Sequence, residues 1–164
     1  MNSLDLMRQQ SETQLQIIDE LKKTRNDIDN VMERVEFLEK TIPLNRGEAF
    51  NIKNQVQEKY TELAKVYFGR YVSKKLYGMK KTHFSMAIYH LLKRRFQATS
   101  YTTVLHVDYE KAIEFIKTIE IFDLPPHYLN LTDKQYETNL KLGDGLPEDF
   151  RGAHNKVLKL NFGS

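Results

Sequence analysis

The sequence of 164 residues contains no cysteine. A disulfide framework, a thiol nucleophile and a thiolate metal site are therefore excluded, and the composition fits a reducing cytoplasm. Long hydrophobic runs are absent too. No stretch approaches the roughly 18 apolar residues of a membrane span, and the first residues lack the apolar core of a signal peptide. These absences predict a soluble cytoplasmic protein without a membrane partner.

Acidic residues are absent from residues 63–107, although the whole chain has 22 of them. Nine lysines and arginines are interleaved with tyrosines and phenylalanines in this stretch, and residues 43–105 carry 12 basic and 3 acidic residues. The flanks, residues 1–42 and 106–164, each have a net charge of −3. A folded segment with such one-sided charge has a positive surface and favours an anionic partner, most often a nucleic-acid backbone. The alternative is that the basic surface is incidental.

Motifs for catalysis and cofactor binding are missing as well. The sequence has neither a glycine-rich loop ending in Gly-Lys-Ser/Thr nor a G-x-G-x-x-G pattern. His83 and His90 share a predicted helical face but lie two turns apart, roughly 10 Å, which is too far for one metal ion. Glu110 and Glu114 have no histidine or nucleophile beside them. We therefore expect no enzyme activity, no metal and no cofactor.

A heptad repeat extends over residues 5–42, and no proline or glycine interrupts it. From the third heptad onward, the a and d positions are apolar except Thr24. The pattern predicts a coiled-coil oligomerisation helix over residues 1–42. Its predicted contact residues are Ile17, Leu21, Ile28, Val31, Val35, Leu38 and Ile42.

Charges beside this repeat match a parallel pair of helices. Glu20 at g can reach Arg25 at e of a partner, and Arg34 at g can reach Glu39 at e. The β-branched residues at a also favour two strands. The sequence thus predicts a homo-oligomer, most simply a parallel dimer, with an amphipathic helix packed on its own domain as the alternative.

The rest of the chain is predicted to be mainly α-helical, with a basic helical domain over residues 43–122 and a loop-rich extension over residues 123–164. Hydrophobic periodicity and capping residues predict helices over about 48–70, 83–96 (capped by Thr82), 109–119 (capped by Asp108) and a short one from Thr132 to Gly143. Ser100–Val107 is predicted as a β-ribbon or an extended loop, and Val157–Phe162 as an edge strand.

Arg95 falls at the centre of the apolar face of the helix predicted over residues 83–96. We interpret it as structural, with its stem on apolar surface and its guanidinium paired with a carboxylate. Lys93 and Arg94 are then the free charges at the end of that helix.

Three short segments share the order of a known family: Lys93-Arg94-Arg95-Phe96, then Ser100-Tyr101, then Asp108–Ile116 with the sequence DYEKAIEFI. They resemble the C-terminal domain of phage antirepressors, and the similarity covers about residues 41–119. The family pattern has a glycine after Phe96, where this chain has Gln97. Members usually carry a separate DNA-binding domain before this one, whereas here the predicted coiled coil occupies that place. The resemblance implies an oligomeric phage or prophage regulatory module in the host-cell cytoplasm.

Two functions of different classes follow. The first is a dimeric regulator that binds DNA through its basic central domain. The second is an antirepressor or adaptor that inhibits an acidic repressor or host protein by direct contact. A structural or assembly protein is a third, weaker reading. For the first function, the predicted phosphate contacts are Lys74, Lys75, Lys80, Lys81, Lys93 and Arg94.

Overall fold

The computed structural model describes residues 2–146, and the chain divides into two compact units, one up to Ile42 and one from Pro43 onward. The described residues form α-helices and short 3-10 turns, which confirms the prediction of a mainly α protein. No strand forms among them. Their one β-bridge is isolated and antiparallel, between Pro43 and Leu105.

The first unit is a single helix, α1 (Ser3–Thr41). The Asn2 side chain accepts a hydrogen bond from the Leu4 N–H, and the Asp5 carboxylate accepts one from the Asn2 N–H. At 1.5 Å per residue, its 39 residues span about 58 Å. None of its side chains is buried, and the heptad residue Leu21 is 64% exposed. The predicted helix is confirmed, and its pairing with another copy stays a prediction.

Helix α2 (Arg46–Phe68) begins the second unit. Asn45 caps it in a reciprocal pair with Glu48, and Gly69 ends it in the left-handed conformation at φ +61°. The predicted apolar stripe is confirmed, because four of its five members are buried and Tyr60 is partly buried. The buried members are Ile52, Val56, Leu63 and Tyr67.

Helix α3 (Lys74–Arg95) begins at Lys74 rather than at the expected His83. Its cap is Ser73, whose hydroxyl accepts the Leu76 N–H, so the predicted cap at Thr82 is wrong. The Thr82 hydroxyl instead donates to a carbonyl one turn earlier inside the helix. The helix continues through Gly78, since helix interiors tolerate single glycines at a modest cost.

The structural role predicted for Arg95 is also wrong. Arg95 is the last residue of α3 and its side chain is exposed. The buried face of the helix ends at Leu92, so no apolar neighbour covers the position that the helical wheel assigns to Arg95.

Gln97 follows the C-cap of α3 and adopts a positive φ of 50°, the one non-glycine residue to do so among residues 2–146. This is the left-handed conformation that glycine adopts without steric cost. The structure therefore gives a reason for the glycine of the family pattern at this position. Gln97 maintains the same turn with a side chain.

Beyond Gln97 the chain makes short helices rather than the β-ribbon predicted for Ser100–Val107, because local hydrogen bonds close two 3-10 turns there. The remaining elements are 3-10 turns at Tyr101–Thr103, His106–Asp108 and Ile121–Asp123, and helices α4 (Tyr109–Thr118), α5 (Pro126–Leu129) and α6 (Asp133–Leu142). The edge strand predicted at Val157–Phe162 lies outside the described residues.

Two of the predicted caps have different outcomes. Asp108 makes no side-chain cap on α4 and binds Lys111 Nζ at 3.0 Å instead, so that prediction is wrong. The pair Thr132 and Gln135 caps α6 as predicted, and Gly143 ends that helix at φ +66°.

Helices α2, α3 and α4 surround the core of the second unit, and α5 and α6 pack against α3. The segment predicted as a loop-rich extension therefore shares this core as far as residue 146. It contributes Leu124, Leu129, Leu131 and Leu146, all buried.

Candidate nucleic-acid interface

Helix α3 carries most of the basic surface that the sequence predicts. It contains no acidic residue, and five of its seven cations lie at its two ends: Lys74 and Lys75 in the first turn, and Lys93, Arg94 and Arg95 in the last. The two groups are about 30 Å apart at 1.5 Å per residue. Positive charge in a first turn opposes the helix dipole. The two N-terminal lysines are therefore not explained by the stability of the helix itself.

Asp144 supplies the negative charge that the start of α3 lacks. Its Oδ1 accepts the Ser73 N–H at 2.6 Å, and the Ser73 hydroxyl donates to its Oδ2 at 2.8 Å. Arg70 donates to the Asp144 carbonyl. Asn139 holds the same turn through two hydrogen bonds with the Leu146 backbone. The turn after α6 thus fixes the point at which the basic helix begins.

Five of the six predicted phosphate contacts reach the surface. Lys74, Lys75 and Arg94 are exposed, and Lys81 and Lys93 are partly exposed. No acidic residue pairs with any of them in the described part of the chain, where the ion pairs lie on other elements. The five side chains are therefore available to an external anion.

Lys80 does not belong to this surface, and its prediction as a phosphate contact is wrong. It is fully buried, and its Nζ donates to the carbonyl oxygens of Tyr128 at 2.7 Å and Asn130 at 2.8 Å. The same Nζ lies 4.5 Å from the ring centroid of Tyr67 and 5.0 Å from that of Phe84. Burial holds the pKa of Lys80 well below its ordinary value. Lys80 fastens the C-terminal end of α5 to α3.

Tyr67 reinforces this attachment from α2. Its hydroxyl donates to the Leu129 carbonyl at 2.5 Å, between the two carbonyls that Lys80 binds. Burial raises the pKa of Tyr67, so the hydroxyl remains protonated and able to donate. Three consecutive carbonyls, 128 to 130, are thus held by two side chains of the core.

His83 also lies at the end of α5, where Lys80 and Tyr67 bind carbonyls. Its ring lies 4.8 Å from that of Tyr128, and its Nδ1 is buried without a hydrogen-bond partner in the described residues. Burial, followed by the nearby Lys80 and His127, lowers the pKa of His83 to about 4. His83 is therefore neutral at pH 7.

A groove between α2 and α3 combines cations with aromatic rings. Lys81 Nζ lies 5.4 Å from the ring centroid of Tyr60 and 5.6 Å from that of Tyr77. No acidic residue lines it, and its lining consists of Tyr60, Lys74, Tyr77, Gly78, Lys81, Thr82 and Ser85. This groove contains two of the five accessible cations described above.

The comparison with protein families decides which family the chain represents. The model of the ORF6C domain matches residues 10–131. The chain belongs to the ORF6C domain family. ORF6C domains are found in phage regulatory and antirepressor-type proteins, which confirms the resemblance found in the sequence and makes this chain a phage-associated regulatory protein. Comparisons with curated proteins and with solved structures gave no match.

The matched range also shows that most of α1 belongs to the ORF6C match. The ORF6C match begins at residue 10, so it includes most of the helix that was expected to stand in place of a preceding domain. In this chain α1 is part of the ORF6C match rather than a replacement for another domain.

A sequence signal for the buried lysine of this ORF6C domain does exist. Lys80 lies four residues after Leu76 and four before Phe84, so a helix begun at Lys74 places all three on one face. The signal was missed because the helix was started too late. Asp144 gave no such signal, because its partner Ser73 is 71 residues away.

Neither a metal-binding cluster nor a membrane-spanning helix occurs in the described part of this ORF6C chain. No group of histidines and carboxylates there is arranged to hold a metal ion. No helix within residues 2–146 is both long and apolar enough to cross a membrane.

Proposed function

We propose that this ORF6C protein is an oligomeric regulator that binds DNA through phosphate contacts made by α3. The observation that carries the proposal is the group of six accessible cations on a helix without acidic residues, namely the five predicted contacts and the exposed Arg95. None of them forms an ion pair among the described residues. Cations of this kind bind phosphates with little dependence on base sequence.

The spacing of the cations suits a duplex. The two basic ends of α3 are about 30 Å apart, which is close to one turn of B-DNA, about 34 Å. The exposed side chains between them are mostly small or apolar, among them Thr82 and Met86. This composition supports contacts with the phosphate backbone of the DNA rather than recognition of base edges.

Oligomerisation would multiply these contacts. Helix α1 leaves every apolar side chain of its heptad repeat exposed, which is costly for an isolated helix. Pairing with a second copy would cover the stripe and place two α3 helices in one particle. Each phosphate contact adds to the affinity at low salt, so a dimer binds DNA far more tightly than a single chain.

The second candidate is an antirepressor or adaptor that acts by protein contact. It is favoured by the occurrence of ORF6C domains in antirepressor-type proteins. In this case the cations of α3 would meet an acidic surface of a repressor or host protein. Binding would then be firm to that protein and weak to DNA.

Substitutions on α1 test the oligomer. Ile28→Glu and Val35→Glu place a charge at a positions, so sedimentation velocity at micromolar concentration should show a shift to a smaller species. Phe37→Glu is the matched control, because Phe37 is also an exposed apolar residue of α1 but lies at a c position. It should leave the oligomer intact. A wild-type chain that sediments only as a monomer contradicts the coiled coil.

The salt dependence of DNA binding tests the main proposal. If each subunit makes three or four phosphate contacts, a dimer should lose affinity with a log–log slope of roughly −5 to −7. Lys75→Ala, Lys93→Ala and Arg94→Ala should each weaken binding and flatten the slope by about 1 per subunit. Fluorescence anisotropy on a random duplex of about 30 base pairs gives the slope.

Lys117→Ala on α4 is the control for these variants, because Lys117 is exposed but lies outside α3. It should leave the slope unchanged. If the wild-type protein shows no saturable binding even at low salt, DNA binding is refuted and protein contact becomes the better explanation.

A further inference from the structure

We propose that the groove between α2 and α3 binds single-stranded nucleic acid, with unpaired bases on its tyrosines and phosphates on Lys74 and Lys81. The inference rests on the proposed DNA binding and specifies the form of the strand that this ORF6C domain prefers. It concerns the groove lined by Tyr60, Lys74, Tyr77, Gly78, Lys81, Thr82 and Ser85.

The aromatic rings of the groove are turned towards its cation. Lys81 Nζ is within 6 Å of the centroids of both Tyr60 and Tyr77, so both rings contribute to the surface on which this side chain lies. Both rings are partly buried, unlike Tyr67, which is fully enclosed in the core. Partly buried rings are held in place yet keep surface for a ligand, which is the condition for stacking a base.

The row of tyrosines continues along α3 beyond the groove. Tyr89 lies one turn after Ser85, and its ring is 4.9 Å from that of Tyr101 at an angle of 34°. Burial, followed by the neighbouring Tyr101 and Tyr60, raises the pKa of Tyr89 to about 12. The Tyr89–Tyr101 pair therefore extends the aromatic surface beside α3 beyond the groove rings Tyr60 and Tyr77.

Gly78 is the least expected residue of the groove. It lies inside α3, where glycine is among the poorest helix formers. A Cβ built at this position would meet no atom within 4 Å, so the packing of the chain does not require a glycine here. Its absent side chain leaves the backbone of α3 open between the two lysines of the groove. A ligand backbone can approach closely at such a position.

The charges of the groove fit a phosphodiester strand. Lys74 and Lys81 lie two turns apart on the same side of α3 and have no acidic neighbour in the lining. The Ser85 hydroxyl adds a polar group beside Lys81. Cations in line with aromatic rings are the combination by which proteins hold single strands without reading their sequence.

A duplex fits this groove less well than a single strand does. Bases in a duplex are stacked and paired, so only their edges are accessible from outside. The rings lie in the groove between two helices, so a base can reach them only after it has become unpaired and unstacked from its neighbours. The exposed cations at the ends of α3, in contrast, can contact either form of DNA.

The test compares Gly78→Glu with Met86→Glu in the full-length protein. Both add one negative charge to exposed positions of α3, but only Gly78 lines the groove. Anisotropy with a labelled 12-nucleotide thymidine strand should show at least tenfold weaker binding for Gly78→Glu and no more than a threefold loss for Met86→Glu. With a duplex, the difference between the two variants should be smaller, because the contacts of Lys75, Lys93 and Arg94 remain and no base has to enter the groove. Gly78→Gln, which adds the same bulk without charge, should fall between them for the single strand.

Tyrosine emission gives a second readout, because the chain has nine tyrosines and no tryptophan. Stacking on the groove should quench it when the unlabelled thymidine strand is added, and Gly78→Glu should prevent the quenching. Circular dichroism should show that both variants remain folded, since neither position is buried.

The outcomes separate this inference from the proposed function. Equal losses for Gly78→Glu and Met86→Glu on the single strand overturn the groove, while duplex binding still stands. Binding of the single strand without any binding of the duplex supports the groove and refutes duplex recognition. No binding of either form overturns both.

Discussion

Lys80→Ala should destabilise the second unit by about 3 to 5 kcal/mol. The substitution leaves a cavity between the rings of Tyr67 and Phe84, and a cavity of this kind costs several kcal/mol. It also removes the donor from the carbonyls of Tyr128 and Asn130, and each unsatisfied group costs about 1 to 3 kcal/mol if water does not replace the donor. Urea denaturation followed by circular dichroism measures the loss.

Lys75→Ala is the matched control, because Lys75 lies on the same helix with its side chain in solvent. Its effect should stay within about 0.5 kcal/mol. Lys80→Met separates the two contributions, since methionine refills most of the volume but donates no hydrogen bond. Equal unfolding midpoints for Lys80→Ala and Lys75→Ala would show that Lys80 does not fasten the C-terminal end of α5.

Acid should lower the stability of the second unit between pH 6.5 and pH 4, because His83 is partly buried in its neutral form. The folded pKa of His83 is about 4, below its ordinary value of 6.5, so the unfolded chain takes up the proton first. The contribution of His83 to the free energy of unfolding is therefore complete above pH 6.5. It falls as the pH drops towards 4, and below pH 4 this group causes no further loss. The shift corresponds to about 1 to 3 kcal/mol after allowance for partial exposure.

His83→Phe should remove this part of the acid sensitivity. Phenylalanine preserves a ring against Tyr128 and has no nitrogen to protonate. His90→Phe is the control, because His90 lies on α3 with its side chain exposed. The free energy of unfolding should be measured at pH 7 and at pH 4 for the three proteins. If wild type and His83→Phe lose equal stability between these two pH values, His83 does not carry the effect.

The different positions of Lys80 and Lys81 also affect how DNA binding should be tested. Lys80 stands next in sequence to Lys81, yet its side chain supports the core while that of Lys81 lines the groove. A variant that neutralised both would lose DNA binding through unfolding. Variants at Lys75, Lys93 and Arg94 avoid this, because none of the three side chains is buried.

Local pattern in the sequence determined the helices and their character. The stripe that includes Ile52 and Val56 predicted α2, the heptad repeat predicted α1, and the capping pair at Thr132 predicted α6. The acid-free stretch over residues 63–107 located the basic surface on the right part of the chain. These features depend on residues within one or two turns of each other, so a single chain suffices to find them.

Tertiary structure decided which members of these patterns serve the core and which serve the surface. Lys80 is buried because two carbonyls, 48 and 50 residues further along the chain, accept its hydrogen bonds. Helix α3 begins at Lys74 because Asp144 anchors Ser73 from 71 residues away. Arg95 is exposed because the core ends one turn before it. A helical wheel uses only the local sequence, so it cannot show that a basic residue has such distant partners. Only the folded chain brings them together.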